Sequence, residues 1–108
     1  MSANAFSRLP LKPELLTRLH AMGFAAMTPV QAETLPPLID GKDVIAQAST
    51  GSGKTAAYAL ACLQRLQPKS FRVQSRVLCP TRELAEQGAQ SVRDLARNLA
   101  NTKILTLW

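Results

Sequence analysis

The chain has 108 residues, 46% of them apolar, 5% aromatic and 19% charged, with a formal net charge of +6. That length allows one small domain at most, and no run of about 18 apolar residues exists to cross a membrane. The N-terminus "MSANAFSRLP" has neither a basic cluster nor an apolar core, so it does not read as a secretory signal, and the expected location is cytoplasmic. Two cysteines, Cys62 and Cys79, fall in a predicted helix and a predicted strand and suit core thiols of a reducing compartment.

Taken in chain order, Pro13 opens a helix, "PELLTRLHAM", that Gly23 can close as its C-terminal cap. His20 on this helix has no second ligand nearby and is given no chemistry. Thr28 and Pro29 read as N-cap and first position of a second helix reaching about Ile39. Pro36 and Pro37 fall inside it, so the pair is expected to kink or shorten it. "DGKD" then turns the chain into a β-prone run, "DVIAQ" (43–47), expected to be a buried strand.

Next comes the bare stretch "ASTGSGKT": Ala48, Ser49, Thr50, Gly51, Ser52, Gly53, Lys54 and Thr55. A helix follows in "AAYALACLQRLQ" (56–67), with Tyr58, Cys62, Leu63 and Leu66 at helical spacing. Strand, glycine-rich turn and helix, in that order, are the setting of a phosphate-binding loop. The glycines let successive N–H groups point inward, and the first turn of the helix adds its own unpaired N–H groups. Lys54 would reach the β- and γ-phosphates and the Thr55 hydroxyl would sit on Mg²⁺. Ala48 stands where the general pattern has its first glycine.

After the polar connection "PKSFRVQ", "RVLCP" (76–80) is a second predicted strand. Thr81 caps a long helix, "RELAEQGAQSVRDLARNLA", with Leu84, Val92, Leu95 and Leu99 on one apolar face. "KILTL" (103–107) is the third strand. The alternation implies an α/β fold: a βαβαβ parallel sheet with right-handed crossovers, preceded by a helical region. The turns after the first two strands then share the carboxyl edge of the sheet, where ligands bind in such folds. Charge is uneven as well: five basic and four acidic residues through Lys54, eight and three after it. That excess is compatible with a polyanion-binding face and equally with an ordinary solvated surface.

"GFAAMTPVQ" (23–31), "ASTGSGKT" and "PTRELA" (80–85) resemble, in order and spacing, the Q motif, motif I and motif Ia of the DEAD-box RNA helicases. Ala48 is the residue that family has in motif I. The resemblance covers nearly the whole chain and implies the opening half of a RecA-like P-loop domain, with a Q-motif region over 1–40 and an incomplete ATP-binding domain over 41–108. Met27 in "MTPVQ" and the ending "NTKILTL" are similar to a bacterial subfamily directed to ribosomal RNA.

The resemblance implies ATP and Mg²⁺ as cofactors, held by the phosphate loop, and RNA as partner. Gln31 corresponds to the adenine reader: an amide can donate to N7 and accept from N6–H₂, a pairing guanine O6 refuses. Phe6 lies where the family keeps an aromatic against the base; a hydrophobic anchor for the N-terminus is an equal reading. Thr28 is a cap first, with any nucleotide contact secondary. Pro80, Thr81 and Arg82 correspond to the turn that holds the RNA backbone, and Glu83 is better suited to structural pairing. The family's later elements, including the Asp-Glu-Ala-Asp motif and the second domain, do not occur among these residues, and no acidic pair ends an apolar strand. The chain therefore reads as the N-terminal piece of an ATP-dependent RNA helicase, inactive by itself. A non-catalytic nucleotide- or RNA-binding fragment, or a non-functional remnant, is the alternative.

Overall fold

The computed structural model describes residues 5–47, 53–67, 69–70, 72–100 and 102–107. Four helices follow one another: α1 (Pro13–Ala21), α2 (Pro29–Ile39), α3 (Lys54–Arg65) and α4 (Arg82–Leu95), after a short 3₁₀ turn at Phe6–Arg8. The Phe6 N–H donates to Ala25 O (3.3 Å), and Ala5 and Ala26 form an isolated bridge. The N-terminal segment is thereby fastened to the α1–α2 connection.

Helix ends follow the sequence closely. Pro13 and Pro29 occupy first-turn positions, where a missing N–H costs nothing. Behind α1, Gly23 N–H donates to His20 O (3.0 Å) and Phe24 N–H to Leu19 O (2.9 Å). Behind α2, Gly41 N–H donates to Leu38 O (3.1 Å) and Lys42 N–H to Pro37 O (2.9 Å). Both are Schellman closures, which satisfy carbonyls that the helices leave open. α2 continues through Pro36 and Pro37 to Ile39, so the proline pair does not shorten it. The N–H groups they lack would have met the carbonyls of Ala32 and Glu33, and beyond the pair the helix still closes through Gly41 and Lys42.

α3 packs against both α2 and α4, and α1 also meets α4. The fully buried Leu15, Leu19, Leu35 and Leu60 mark where α1, α2 and α3 converge. Of the apolar face expected for α3, Leu63 is buried and Tyr58 packs against the core, while Cys62 and Leu66 are half-buried; Ala57, Ala59, Leu60 and Ala61 are buried besides. Alanines count here because a central helix between two others must let their backbones come close. α4 ends at Leu95 rather than near residue 100, and its buried side is Gly88, Ala89 and Leu95. Leu84 is exposed; Val92 and Leu99 pack at the margin of the core.

The expected parallel sheet is not formed among the described residues: 43–47, 76–79 and 102–107 carry no strand ladder. Burial over 102–107 nevertheless alternates with a period of two, Ile104 inward against the core and Leu105 and Leu107 outward, 81% and 90% exposed. Ile45 and Leu78 are similarly bare at 98% and 95%. Parallel strands are stable when both faces are covered, and here the outward side chains have no cover. No helix among the described residues is long and apolar enough to cross a membrane.

Candidate functional site

The start of α3 is the centre of the site. Gly53 takes the N-cap position with φ +90° and ψ 15°, a left-handed conformation that favours glycine. Space demands glycine too: a Cβ there would meet Gln31 Nε2 at 2.5 Å and Thr28 Oγ1 at 3.0 Å. Having no side chain, Gly53 supplies no cap, in contrast to Thr28 and Thr81 at the starts of α2 and α4. Among the described residues no side chain caps the first-turn N–H groups of α3, which lie at the positive end of a twelve-residue helix. Lys54 is exposed at the first position and makes no ion pair among the described residues; Thr55 is half-buried beside it. Ala48, Ser49, Thr50, Gly51 and Ser52, the remainder of the expected phosphate loop, lie outside the described residues.

Gln31 is 5% exposed, so its side chain does not lie on the helix surface. Its Oε1 accepts from the Thr28 N–H (2.9 Å) while the Thr28 hydroxyl accepts from the Gln31 N–H (3.4 Å), completing a capping box. Its Nε2 donates to Gly53 O (3.1 Å), the same carbonyl that accepts the first helical bond of α3 from Ala57. One side chain therefore joins the start of α2 to the start of α3. A primary amide offers two N–H donors and two acceptor lone pairs. After these bonds Gln31 retains one of each.

Phe6 is 3% exposed and belongs to the core cluster with Leu9 and Leu11, so its ring anchors the N-terminal segment. Pro80, Thr81 and Arg82 are all exposed at the start of α4, apart from the core. Thr81 Oγ1 accepts from the Leu84 N–H (3.2 Å), a side-chain cap that the sequence predicts. This helix start and that of α3 differ in kind: the N-cap threonine of one caps it, and the N-cap glycine of the other cannot.

Several contacts that hold the site have no motif to announce them. Lys12 Nζ donates to the carbonyls of Leu63 (3.2 Å) and Leu66 (2.7 Å), closing the far end of α3, and its N–H donates to Gln64 Oε1 (2.6 Å). Arg18 Nε donates to Asp94 O (2.5 Å), joining α1 to the end of α4. Gly88, inside α4, faces Tyr58: a Cβ would meet the tyrosine oxygen at 2.7 Å. Among the described residues no three His, Cys, Asp or Glu side chains group as a metal site.

The DEAD/DEAH box helicase profile matches residues 28–107. The ATP-dependent RNA helicase DbpA of Escherichia coli K12 is 58% identical over 104 residues, 95% of this chain and 23% of that protein. The ATP-dependent RNA helicase DeaD of Escherichia coli K12 is 42% identical over 103 residues, 95% of this chain and 16% of its own length. Among solved structures, Saccharomyces cerevisiae Dbp5 bound to RNA and ADP BeF3 superposes with a TM-score of 0.83 at 38% identity, over 88% of this chain and 25% of that one. A DEAD box protein from Methanococcus jannaschii gives 0.81 at 31% identity, over 88% and 26%. The chain spans about a quarter or less of the relatives it matches. A match over residues 28–107, most of its length, puts the chain in the DEAD/DEAH box helicase family.

Proposed function

We propose that this chain is the nucleotide-binding beginning of an ATP-dependent RNA helicase, with ATP and Mg²⁺ as cofactors and RNA as partner. The observation that carries the reading is the α3 start: opened by a left-handed glycine that supplies no cap, followed by Lys54 and Thr55, and bonded to Gln31. Lys54 neutralises charge on the β- and γ-phosphates, with the first-turn N–H groups as further donors. Residues 48–52 carry the rest of the phosphate-loop sequence. Thr55 would hold Mg²⁺ together with phosphate oxygens, and the bound ion spreads the negative charge of the phosphates.

Gln31 reads the base. Its one remaining donor and one remaining acceptor are the complement of adenine N7 and N6–H₂, and the wrong complement of guanine. Thr28 serves by holding that amide in register. The burial of Phe6 supports the anchor role over stacking on the base. At the α4 start, Thr81 and Arg82 with the first-turn N–H groups suit an RNA phosphate, and Pro80 shapes the approach. The Dbp5 structure with RNA and ADP BeF3 supports both ligands for a chain of this similarity. The proposal extends to a βαβαβ sheet over 43–107 behind a Q-motif region over 1–40, supported by the period-two burial of 102–107. Ribosomal RNA as the target rests on the resemblance of "MTPVQ" and "NTKILTL".

The test is a titration with fluorescent ATP and GTP analogues. Gln31→Ala should weaken ATP more than GTP by about 1–3 kcal/mol, the worth of a bidentate base contact. Loss of the Gly53 tie affects both nucleotides alike, so equal losses would reject Gln31 as the base reader. The purified chain should release no phosphate from ATP: none of its seven Asp and Glu residues forms an acidic pair at the end of an apolar strand to position water and metal. RNA-stimulated release abolished by Lys54→Ala would overturn that expectation.

A further inference from the structure

From Val44 to Arg82 the chain carries no acidic residue and six basic ones: Lys54, Arg65, Lys69, Arg72, Arg76 and Arg82. Lys54 and Arg82 belong to the site above. The other four lie from the end of α3 onward. α3 carries Arg65 about 16 Å from Lys54, at 1.5 Å per residue along the helix. Arg65 therefore sits a helix length away from the phosphate loop.

A groove of about 400 Å³ opens there, with Gly41 and Lys42 at the end of α2, Arg65 on α3, and Gln67, Gln74 and Ser75 beyond it among its lining residues. Gln67 N–H donates to Gln74 Oε1 (2.7 Å) and Gln74 Nε2 donates back to Gln67 O (2.9 Å). This pairing fixes the two arms of the connection side by side. Lys69 and Arg72 stand between them and Arg76 directly follows Ser75, all three exposed. A Cβ at Gly41 would meet Arg65 Nη1 at 2.5 Å, so the bare glycine is what lets the guanidinium lie in the groove.

Helix C-termini attract cations, and that could account for the charge with no ligand at all. Both C-termini are already served. Lys12 Nζ occupies the last carbonyls of α3, and the Gly41 and Lys42 N–H groups close α2. Lys42 pairs with Asp40 (3.5 Å) and Asp43 is exposed nearby, but Arg65, Lys69, Arg72 and Arg76 make no ion pair among the described residues.

We infer that this face is a second contact for the RNA backbone, separate from the turn at Thr81. Arg65 at the end of α3 and the three cations of the connection take successive phosphates, and the Ser75 hydroxyl and Gln67 side-chain amide in the groove wall suit the sugar between them. RNA rather than another polyanion is chosen because of the proposed function; the face itself stands on its own geometry.

Fluorescence anisotropy of the full chain with a short labelled oligouridine tests this across a salt series. Arg65→Gln, Lys69→Gln, Arg72→Gln and Arg76→Gln together should raise Kd about tenfold or more. They should also lower the slope of log affinity against log salt by about 2–3, at about 0.7 per phosphate contact on a single strand. Arg72→Gln alone, at an exposed position, should lower the slope by about 0.7. Replacing the three arginines by lysine keeps the charge and should preserve the slope. An unchanged slope in both glutamine variants would overturn the proposal, whatever Arg82→Ala does; loss with Arg82→Ala alone would leave only the Thr81 turn. Displacement of the oligouridine by oligoglutamate at equal charge concentration would show an acidic-protein site and would also overturn it.

Discussion

In α1 and α2 the chain finishes what it starts: prolines open the helices, Thr28 and Gln31 cap one of them, and Gly23 and Gly41 close both. In 43–47, 76–79 and 102–107 an apolar sequence of similar quality leaves Ile45, Leu78, Leu105 and Leu107 facing outward. Helices satisfy their backbone within the segment, whereas strands borrow partners from elsewhere. The contrast is therefore one of where the partners reside, not of how apolar the segments are. Sheet segments with unpaired edges and bare faces are also an aggregation hazard.

The largest effect that can break this comparison is at Leu60, fully buried on the central helix. Leu60→Ala should lower unfolding free energy by about 2–5 kcal/mol in a denaturant titration, the range for such core truncations. A loss no greater than that of a surface change would mean that the helices are not the stable half.

A smaller effect sharpens the helical side. Gly88→Ala gains about 1 kcal/mol of helix propensity but places a methyl against the Tyr58 oxygen, and overpacking costs about 1–3 kcal/mol, so a net loss of about 1 kcal/mol is expected. The ring carbon bearing that oxygen is 4.0 Å from the same position. In a Tyr58→Phe background Gly88→Ala should therefore stabilise, by up to about 1 kcal/mol. The same sign in both backgrounds, read from thermal melts, would discard the contact as the reason for glycine.

The smallest effect lies on the exposed segments. Leu78→Ser and Leu105→Ser should each change unfolding free energy by no more than about 0.5 kcal/mol, the range of ordinary surface substitutions. Solubility, measured as the concentration left after centrifugation, should rise. A loss of several kcal/mol would show that these side chains are buried in solution.

Legibility in the sequence follows the same line. Pro13, Gly23, Thr28, Pro29 and Thr81 each act within a few residues of themselves, and the structure puts each where its chemistry suggests. Gly53 and Lys54 were legible for the same reason, as parts of one contiguous motif. Periodicity missed part of the core face of α3, because alanines that look neutral in a sequence become core residues once a helix is packed on two sides. It overran α4, whose last turn gives way at Ala96–Asn98 without a glycine or proline to mark it. Lys12, Arg18 and Gln74 reach carbonyls 7 to 76 positions away, and no local pattern encodes such distances. The basic groove had one signal, the stretch without acidic residues, but its closure by Gln67 and Gln74 required coordinates.

The paired Schellman closures have a bearing on the order of events in biosynthesis. A helix that opens on its own proline and shuts on its own glycine can form from neighbouring contacts alone, before distant chain is available. Synthesis proceeds at about 5–20 residues per second, and helix formation takes about a microsecond or less. Residues 13–42 can thus sample their helices during each elongation step while 43–47 still awaits a partner. The nascent chain would carry a ready-made helical seed, with Leu15, Leu19 and Leu35 presented for the arrival of α3.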